Sequence, residues 1–299
     1  MNQNVRPLVE GGHFYEAPRW HDGTWWVVDF YAHTVLTVTV DGSVEPVMEV
    51  EGQPSGMGWM PDGSLLVVSM KDQKILRRSR DGSVTQHADL SDLCGGAAND
   101  MVVDRDGGAY VGNFGFDIMA GADPEPATLI RVDPDGAVSV AATDMYFPNG
   151  SVILPDEQTL IVGETIGCRY SAFTIGPNGE LTDRRVWAQL ADTPALGTFE
   201  QVLDAVEVAP DCCALDAEGL LWTADAVGGR VIRVAQGGQV TDQIPMPPGL
   251  GAFACALGGR SGQTLLICSA PDFDEHARTL ANEAMLFTVD VGVAHAGRP

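Results

Sequence analysis

Basic side chains are scarce in this sequence: 17 Lys and Arg stand against 41 Asp and Glu in 299 residues, a formal net charge of -24. Phosphate backbones are held by basic surfaces, so the shortage argues against nucleic acid as a partner. Long apolar runs are missing as well. No stretch reaches the eighteen or so consecutive apolar residues of a membrane span, and Met1-Asn2-Gln3-Asn4-Val5-Arg6-Pro7 has no apolar segment of the signal-peptide kind. The expectation is a cytoplasmic protein with no membrane partner. The six cysteines, at 94, 168, 212, 213, 255 and 268, include no CxxC pair, which disfavours a zinc knuckle or a regular disulfide framework and predicts reduced, buried, space-filling thiols. The six histidines, at 13, 21, 33, 87, 276 and 295, make no HxH or HExxH spacing, so a histidine-based zinc site has no support. A GxSxG nucleophile elbow is absent, as are the glycine-rich phosphate-binding loops GxxxxGK[ST] and GxGxxG.

Long helical periodicity is also lacking, and what fills the chain instead is short β-branched and apolar runs bounded by Asp-Gly-like turns. Leu65-Leu66-Val67-Val68-Ser69, followed by Lys74-Ile75-Leu76-Arg77-Arg78-Ser79-Arg80-Asp81-Gly82, is typical. The unit repeats. Aligned on their first turn, six copies appear at Asp22-Gly23, Asp62-Gly63, Asp106-Gly107, Asp156-Glu157, Glu218-Gly219 and Ser261-Gly262. Third strands are predicted at 34–40, 74–79, 128–133, 170–175, 230–234 and 284–289. The intervals of about 40, 44, 50, 61 or 62, and 43 residues are those of a propeller blade. The expected fold is therefore all-β, a six-bladed β-propeller forming a single domain over 1–299. The longest interval predicts an insertion at about 186–208, a loop or cap, and residues 272–283 interrupt the last blade as a surface loop or short helix.

In a propeller the first strand of each blade lines the central channel, and equivalent positions near its start face one mouth. Eight residues before each aligned turn position stand Tyr15, Ser55, Asn99, Asn149, Asp211 and Ala254, and in the first copy the neighbouring Glu16 is the better ligand. Asn and Asp are ordinary turn residues when taken singly. Recurrence at one phase is not explained that way. Glu16, Asn99, Asn149 and Asp211 make an all-oxygen set with two formal negative charges, suited to one hard divalent cation with positions left for water or substrate. Ca²⁺ is the expected ion, with Mg²⁺, Mn²⁺ or Zn²⁺ as alternatives.

The strings Glu16-Ala17-Pro18-Arg19-Trp20, Ala98-Asn99-Asp100, Pro148-Asn149-Gly150, Pro210-Asp211-Cys212-Cys213-Ala214-Leu215-Asp216-Ala217-Glu218-Gly219-Leu220-Leu221-Trp222 and Gly228-Gly229-Arg230-Val231 resemble the SMP-30/gluconolactonase/luciferin-regenerating-enzyme-like family across essentially the whole chain. The resemblance implies a six-bladed propeller with one catalytic divalent metal. By motif match it implies Glu16, Asn99, Asn149 and Asp211 as ligands and Asp211 as candidate general base. Two departures matter. Members that act on sugar lactones carry Arg where this chain has Ala97, which points away from a polar aldonolactone. The Pro-Asp-Gly of many relatives is Pro210-Asp211-Cys212 here.

Aromatic residues and Met gather near the predicted mouth (Phe14, Tyr15, Met57, Phe114, Phe116, Met119, Tyr146 and Phe147), and Tyr15, Phe114, Tyr146 and Phe147 are the expected substrate contacts. The expected activity is opening of a lactone less polar than a sugar lactone, with the metal as Lewis acid on the carbonyl and a water activated by the metal or by Asp211. Asp100 is expected to support the site from behind or to orient a water. Phosphotriester hydrolysis at the same metal and a non-catalytic calcium-binding propeller remain open at this point.

Overall fold

The computed structural model describes residues 5–297. The first four residues, on which the expectation of no leader partly rests, and the last two lie outside the described residues, as do the ends of the expected 1–299 domain. The chain opens with β1 (Arg6–Gly12). Four strands, β2 (Tyr15–His21), β3 (Thr24–Asp29), β4 (Thr34–Val38) and β5 (Val44–Glu49), then pair in order as an antiparallel sheet. The second sheet is β6 (Pro54–Trp59), β7 (Leu65–Ser69), β8 (Lys74–Arg78) and β9 (Val84–Asp89). The third is β10 (Ala98–Val103), β11 (Ala109–Asn113), β12 (Ala127–Val132) and β13 (Val138–Met145). The fourth is β14 (Pro148–Ile153), β15 (Thr159–Glu164), β16 (Arg169–Ile175) and β17 (Leu181–Gln189). The fifth is β18 (Pro210–Leu215), β19 (Leu221–Asp225), β20 (Arg230–Val234) and β21 (Val240–Pro245).

The sixth sheet holds β22 (Gly251–Gly258), β23 (Thr264–Ala270) and β24 (Ala284–Asp290), and β1 supplies its outer strand. The architecture is that of a six-bladed β-propeller, with one sheet per blade. Closure of the last blade by the first strand was not apparent in the sequence: Arg-Pro-Leu-Val-Glu-Gly-Gly carries little apolar alternation, and its partner lies at the far end of the chain.

The turns explain the repeat. Asp104 Oδ1 accepts the Asp106 and Gly108 N–H groups, each at 2.9 Å, and Oδ2 accepts from Arg131 Nη1 at 2.6 Å, so one aspartate fixes both the hairpin and the strand beyond it. Asp216 does the same with Glu218, Leu220 and Arg233. The glycine that follows takes the left-handed conformation a side chain resists, at φ +91° for Gly107 and +81° for Gly219. The fourth copy has no glycine there, and Glu157 adopts φ +60° in its place.

The chain divides into two compact units, one within Met1–Pro54 and Val208–Pro299 and the other Ser55–Glu207. In the first, Trp222, Val231 and Ile244 pack with Leu265, Ile267, Phe287 and Val289. In the second, Val102, Tyr110, Leu129 and Met145 pack with Ile153, Leu160, Val162 and Phe173. Sheet-on-sheet burial accounts for the solid apolar middle strands, such as β7, whose five residues are all buried. Outer strands such as β5, β9 and β21 are largely exposed. The insertion expected at 186–208 starts later than predicted, because β17 runs on through Gln189. It contains α1 (Phe199–Ala205), begun by a Thr198–Gln201 capping box. Within 272–283 lies α2 (Glu275–Leu280), the short helix allowed for. Among the described residues no helix is long and apolar enough to cross a membrane.

Candidate metal centre

Four first strands share one distortion. The strand register slips between Glu16 and Arg19, between Ala98 and Met101, between Pro148 and Ser151, and between Pro210 and Cys213. A β-bulge of this kind adds a residue on one side of the ladder and re-aims the side chain beside it. The second residue of these strands is Glu16, Asn99, Asn149 and Asp211 in turn. Glu16, and not Tyr15, shares this strand position, and the cause of the one-residue offset is visible. Asp22 and Gly23, both with positive φ, close β2 and β3 with a two-residue turn, whereas Val103 pairs with Ala109 across five residues, so counting back from the turn overshoots in the first blade. In the other two first strands the second position holds Ser55 and Ala252, so Ala254 is not the equivalent residue.

Within the first unit, the donor atoms of Glu16, Asp211 and Cys212 all lie within 4.8 Å of one another. Glu16 is buried, and its Oε2 accepts the Ala17 N–H at 2.7 Å and the Cys212 Sγ–H at 3.4 Å. Asp211 is partly exposed and accepts the Cys212 N–H at 3.0 Å. Two carboxylates this close repel unless a proton or a cation is shared between them. Ala17, next to Glu16, is held at φ +45°, a strained backbone beside the carboxylate pair.

Within the second unit, Asn99 and Asp100 are buried on the β10 bulge. Gly56 makes room for them, since a Cβ there would lie 2.7 Å from the Asp100 Cα. Ser55 Oγ faces Asn99 Oδ1 at 3.5 Å, and the buried Asn99 Nδ2 has no hydrogen-bond partner. Amide oxygen and nitrogen are interchangeable by a flip. Turned over, Asn99 leaves its oxygen as the atom without a partner, which is what a cation ligand requires. Asn149 Nδ2 donates to Thr165 Oγ1 at 3.1 Å, which fixes the amide from one side. Carboxylate oxygens in the first unit and amide oxygens in the second are, each by itself, donors of the kind a hard divalent cation takes.

The sequence reading missed what holds these positions. The strand after each ligand strand ends in a buried polar residue: Asp29, Asn113, Glu164 and Asp225. Each accepts a backbone N–H from the segment entering its own first strand, from Phe14 at 3.0 Å, Gly95 at 3.3 Å, Tyr146 at 2.9 Å and Ala209 at 3.1 Å. The anchor therefore sits two to four residues ahead of the ligand. Their spacing of six or seven residues after the turn was a usable signal. Glu164 is the most heavily engaged, with Arg169, Arg184 and Ser171 also donating to it. Burial pushes its pKa up, but hydrogen bonds from Arg169, Ser171 and the Tyr146 N–H, with the Arg169 charge, hold it below its ordinary 4.5.

The aromatic residues fall into two groups. Phe114 and Phe116 pack on Phe147 in the second unit, with centroids 4.6 and 6.2 Å apart, and Tyr146 lies beneath the Arg169 guanidinium at 5.5 Å. Gly95 and Gly96 let their loop lie against the Gly115 and Phe116 carbonyls, and Ala97, partly buried, accepts the Phe114 N–H at 3.0 Å. In the first unit Phe14 packs with Phe30, Tyr31 and Phe253, three rings the sequence reading did not single out. Tyr15 is buried beside Glu16, and burial, with the Asp29 charge next in weight, pushes its phenol up to about 12. Met57 is core, and Met119 is exposed. All six cysteines are free thiols, five of them buried as expected, but Cys212 is more than filler because its sulfur donates to the Glu16 carboxylate.

The chain is similar to several known proteins. Over 180 residues the chain is 27% identical to a 6-deoxy-6-sulfogluconolactonase from Pseudomonas putida, covering 59% of this chain and 57% of that protein. Over 254 residues it is 26% identical to the pentonolactonase XacC of Haloferax volcanii, covering 82% and 78%. The crystal structure of the calcium-binding protein regucalcin from Agrobacterium tumefaciens superposes with a TM-score of 0.77 at 22% identity, over 99% of this chain and 96% of that one, and shares the propeller fold. Residues 14–271 match the SMP-30/Gluconolactonase/LRE-like region. The chain belongs to the SMP-30/gluconolactonase/LRE-like family.

Proposed function

We propose that the protein is a metal-dependent hydrolase that opens a lactone less polar than a sugar lactone. The observation that carries this reading is the Glu16–Asp211 carboxylate pair within 4.8 Å, in a chain with several curated relatives named as lactonases. Glu16, Asn99, Asn149 and Asp211 are the proposed ligands of one divalent cation, on the strength of their common strand position, and Ca²⁺ is the ion their oxygens alone would favour. That the two compact units act as one domain is part of the proposal. Ala97 and the Phe114–Phe116–Phe147 cluster support a less polar substrate. Tyr15, Phe114, Tyr146 and Phe147 are the proposed contacts.

When bound, the cation supplies Lewis acidity to the ester carbonyl. Asp211, the partly exposed member of the carboxylate pair, takes the proton of the attacking water and returns it to the departing alkoxide, so one water is consumed and a hydroxy acid leaves. Glu16, buried and fixed by the Ala17 N–H, holds its position beside Asp211. Asp100 supports Asn99 from the same bulge.

The test is a screen of lactones, aryl esters and phosphotriesters, with and without chelator, using wild type and Asp211→Asn. The expected result is lactone hydrolysis that disappears with the metal, returns with it, and falls roughly 100-fold or more in the variant. Activity that survives thorough metal removal refutes the mechanism. Turnover confined to phosphotriesters would identify a phosphotriesterase, and Ca²⁺ binding without turnover a non-catalytic propeller.

A further inference from the structure

We infer that Cys212 is a ligand of this metal centre, and that its thiolate turns the site from Ca²⁺ towards a thiophilic ion such as Zn²⁺. The inference rests on the metal-dependent reading above and concerns residues of one compact unit. Cys212 follows Asp211 on the β18 bulge, is 2% exposed, and points its sulfur at Glu16. It does not adopt a positive φ, so its backbone makes no demand for glycine and the thiol is carried without strain.

The spacing suits coordination. A sulfur about 2.3 Å and an oxygen about 2.1 Å from one tetrahedral ion are separated by roughly 3.6 Å. The Cys212 Sγ to Glu16 Oε2 distance is 3.4 Å. The proton now shared between these atoms therefore marks a place where a cation can bridge them with little movement. On binding, the Sγ–H proton leaves to water, the sulfur lone pair takes the vacated direction, and no oxidation state changes.

Ion choice follows from the donors. Ca²⁺ asks for six to eight hard oxygens and gains little from sulfur, whereas a carboxylate–carboxylate–thiolate set favours Zn²⁺ or Co²⁺. A thiolate also adds negative charge beside two carboxylates in a buried place, which only a tightly bound cation offsets.

The experiment titrates the chelator-stripped full chain with Co²⁺, reading the near-ultraviolet sulfur-to-cobalt charge-transfer band and the visible ligand-field bands separately, and then measures Zn²⁺ and Ca²⁺ competition. Wild type should show both sets of bands. Cys212→Ser should keep the ligand-field bands, lose the charge-transfer band, and bind Zn²⁺ at least 10–100-fold more weakly, the loss known for a mere outer-shell partner. Cys213→Ser and Cys255→Ser should retain the charge-transfer band. Circular dichroism of Cys212→Ser and Cys212→Ala checks that both fold. Ligand-field bands without a charge-transfer band in wild type, or a charge-transfer band that survives Cys212→Ser, overturns the inference and leaves the metal reading standing. Failure of wild type to bind Co²⁺, Zn²⁺ or Ca²⁺ overturns both.

Discussion

Replacing Glu164 with Gln keeps the size of a buried side chain and removes the charge on which the fourth blade depends. Its two oxygens accept from Arg169 Nε and Nη2 at 3.0 and 2.9 Å, from Arg184 Nη2 at 3.1 Å, from Ser171 Oγ, and from the Tyr146 N–H. A carboxamide turns one acceptor into a donor facing donors. Removing one partner of a buried ion pair costs about 3–5 kcal/mol, chiefly through the charge left behind. Arg169 and Arg184 keep 20% and 32% side-chain exposure and can rehydrate, which places the expected loss near 3 kcal/mol. With a urea slope of about 3 kcal/mol/M for a chain of this size, the unfolding midpoint should drop by about 1 M. Acid adds a second reading. Because the folded-state pKa of Glu164 is held below 4.5, its stabilisation is complete above that pH and is lost as pH falls through the lower, folded value. Wild type should therefore lose stability below pH 4.5 along a slope that Glu164→Gln lacks. A variant within about 0.5 kcal/mol of wild type at neutral pH, or an unchanged acid slope, would refute the assignment of Glu164 as the anchor of this blade.

Three further outcomes follow from the same geometry. Glu157→Gly should stabilise the protein by about 0.5–1 kcal/mol in urea unfolding, because it relieves a left-handed side-chain residue at φ +60° while giving back some unfolded-state entropy. Asn99→Ala should weaken divalent-ion binding in calorimetry while leaving apo stability unchanged or slightly raised, since it removes a buried amide nitrogen without a partner. Gly96→Ala should cost about 1–3 kcal/mol, because the new Cβ would press on the Phe116 carbonyl, and should lower metal affinity by disturbing the approach to Asn99.

Much of the fold was legible because turn chemistry is local. Asp-Gly hairpins and β-branched runs declare themselves within a few residues, and six copies fix the blade count. The common strand position of Glu16, Asn99, Asn149 and Asp211 was legible for the same reason, apart from the offset in the first blade caused by the two-residue turn at Asp22 and Gly23. What stayed hidden depends on partners distant in sequence. β1 is recognisable as a strand only beside β24, and Cys212 is recognisable as a possible ligand only when Glu16 is brought 3.4 Å from its sulfur. Asp29, Asn113, Glu164 and Asp225 read as strand ends until the N–H groups they hold are seen.

The anchors and bulges together separate the scaffold from the chemistry. In four blades a buried polar residue at the end of the second strand pins the chain just before the first strand, and a bulge then re-aims the first strand's second residue. Neither device depends on what that second residue is. Glu16, Asn99, Asn149 and Asp211 occupy equivalent places, and the second blade sets Ser55 there while the sixth sets Ala252. In the four anchored blades the charge of this residue therefore differs without a different blade, which is how two amides and two carboxylates share one strand position. The same holds one residue onward: Cys212 sits on its bulge without a positive φ, so the sulfur ligand inferred above comes at no backbone cost and needs no change in the blade that carries it.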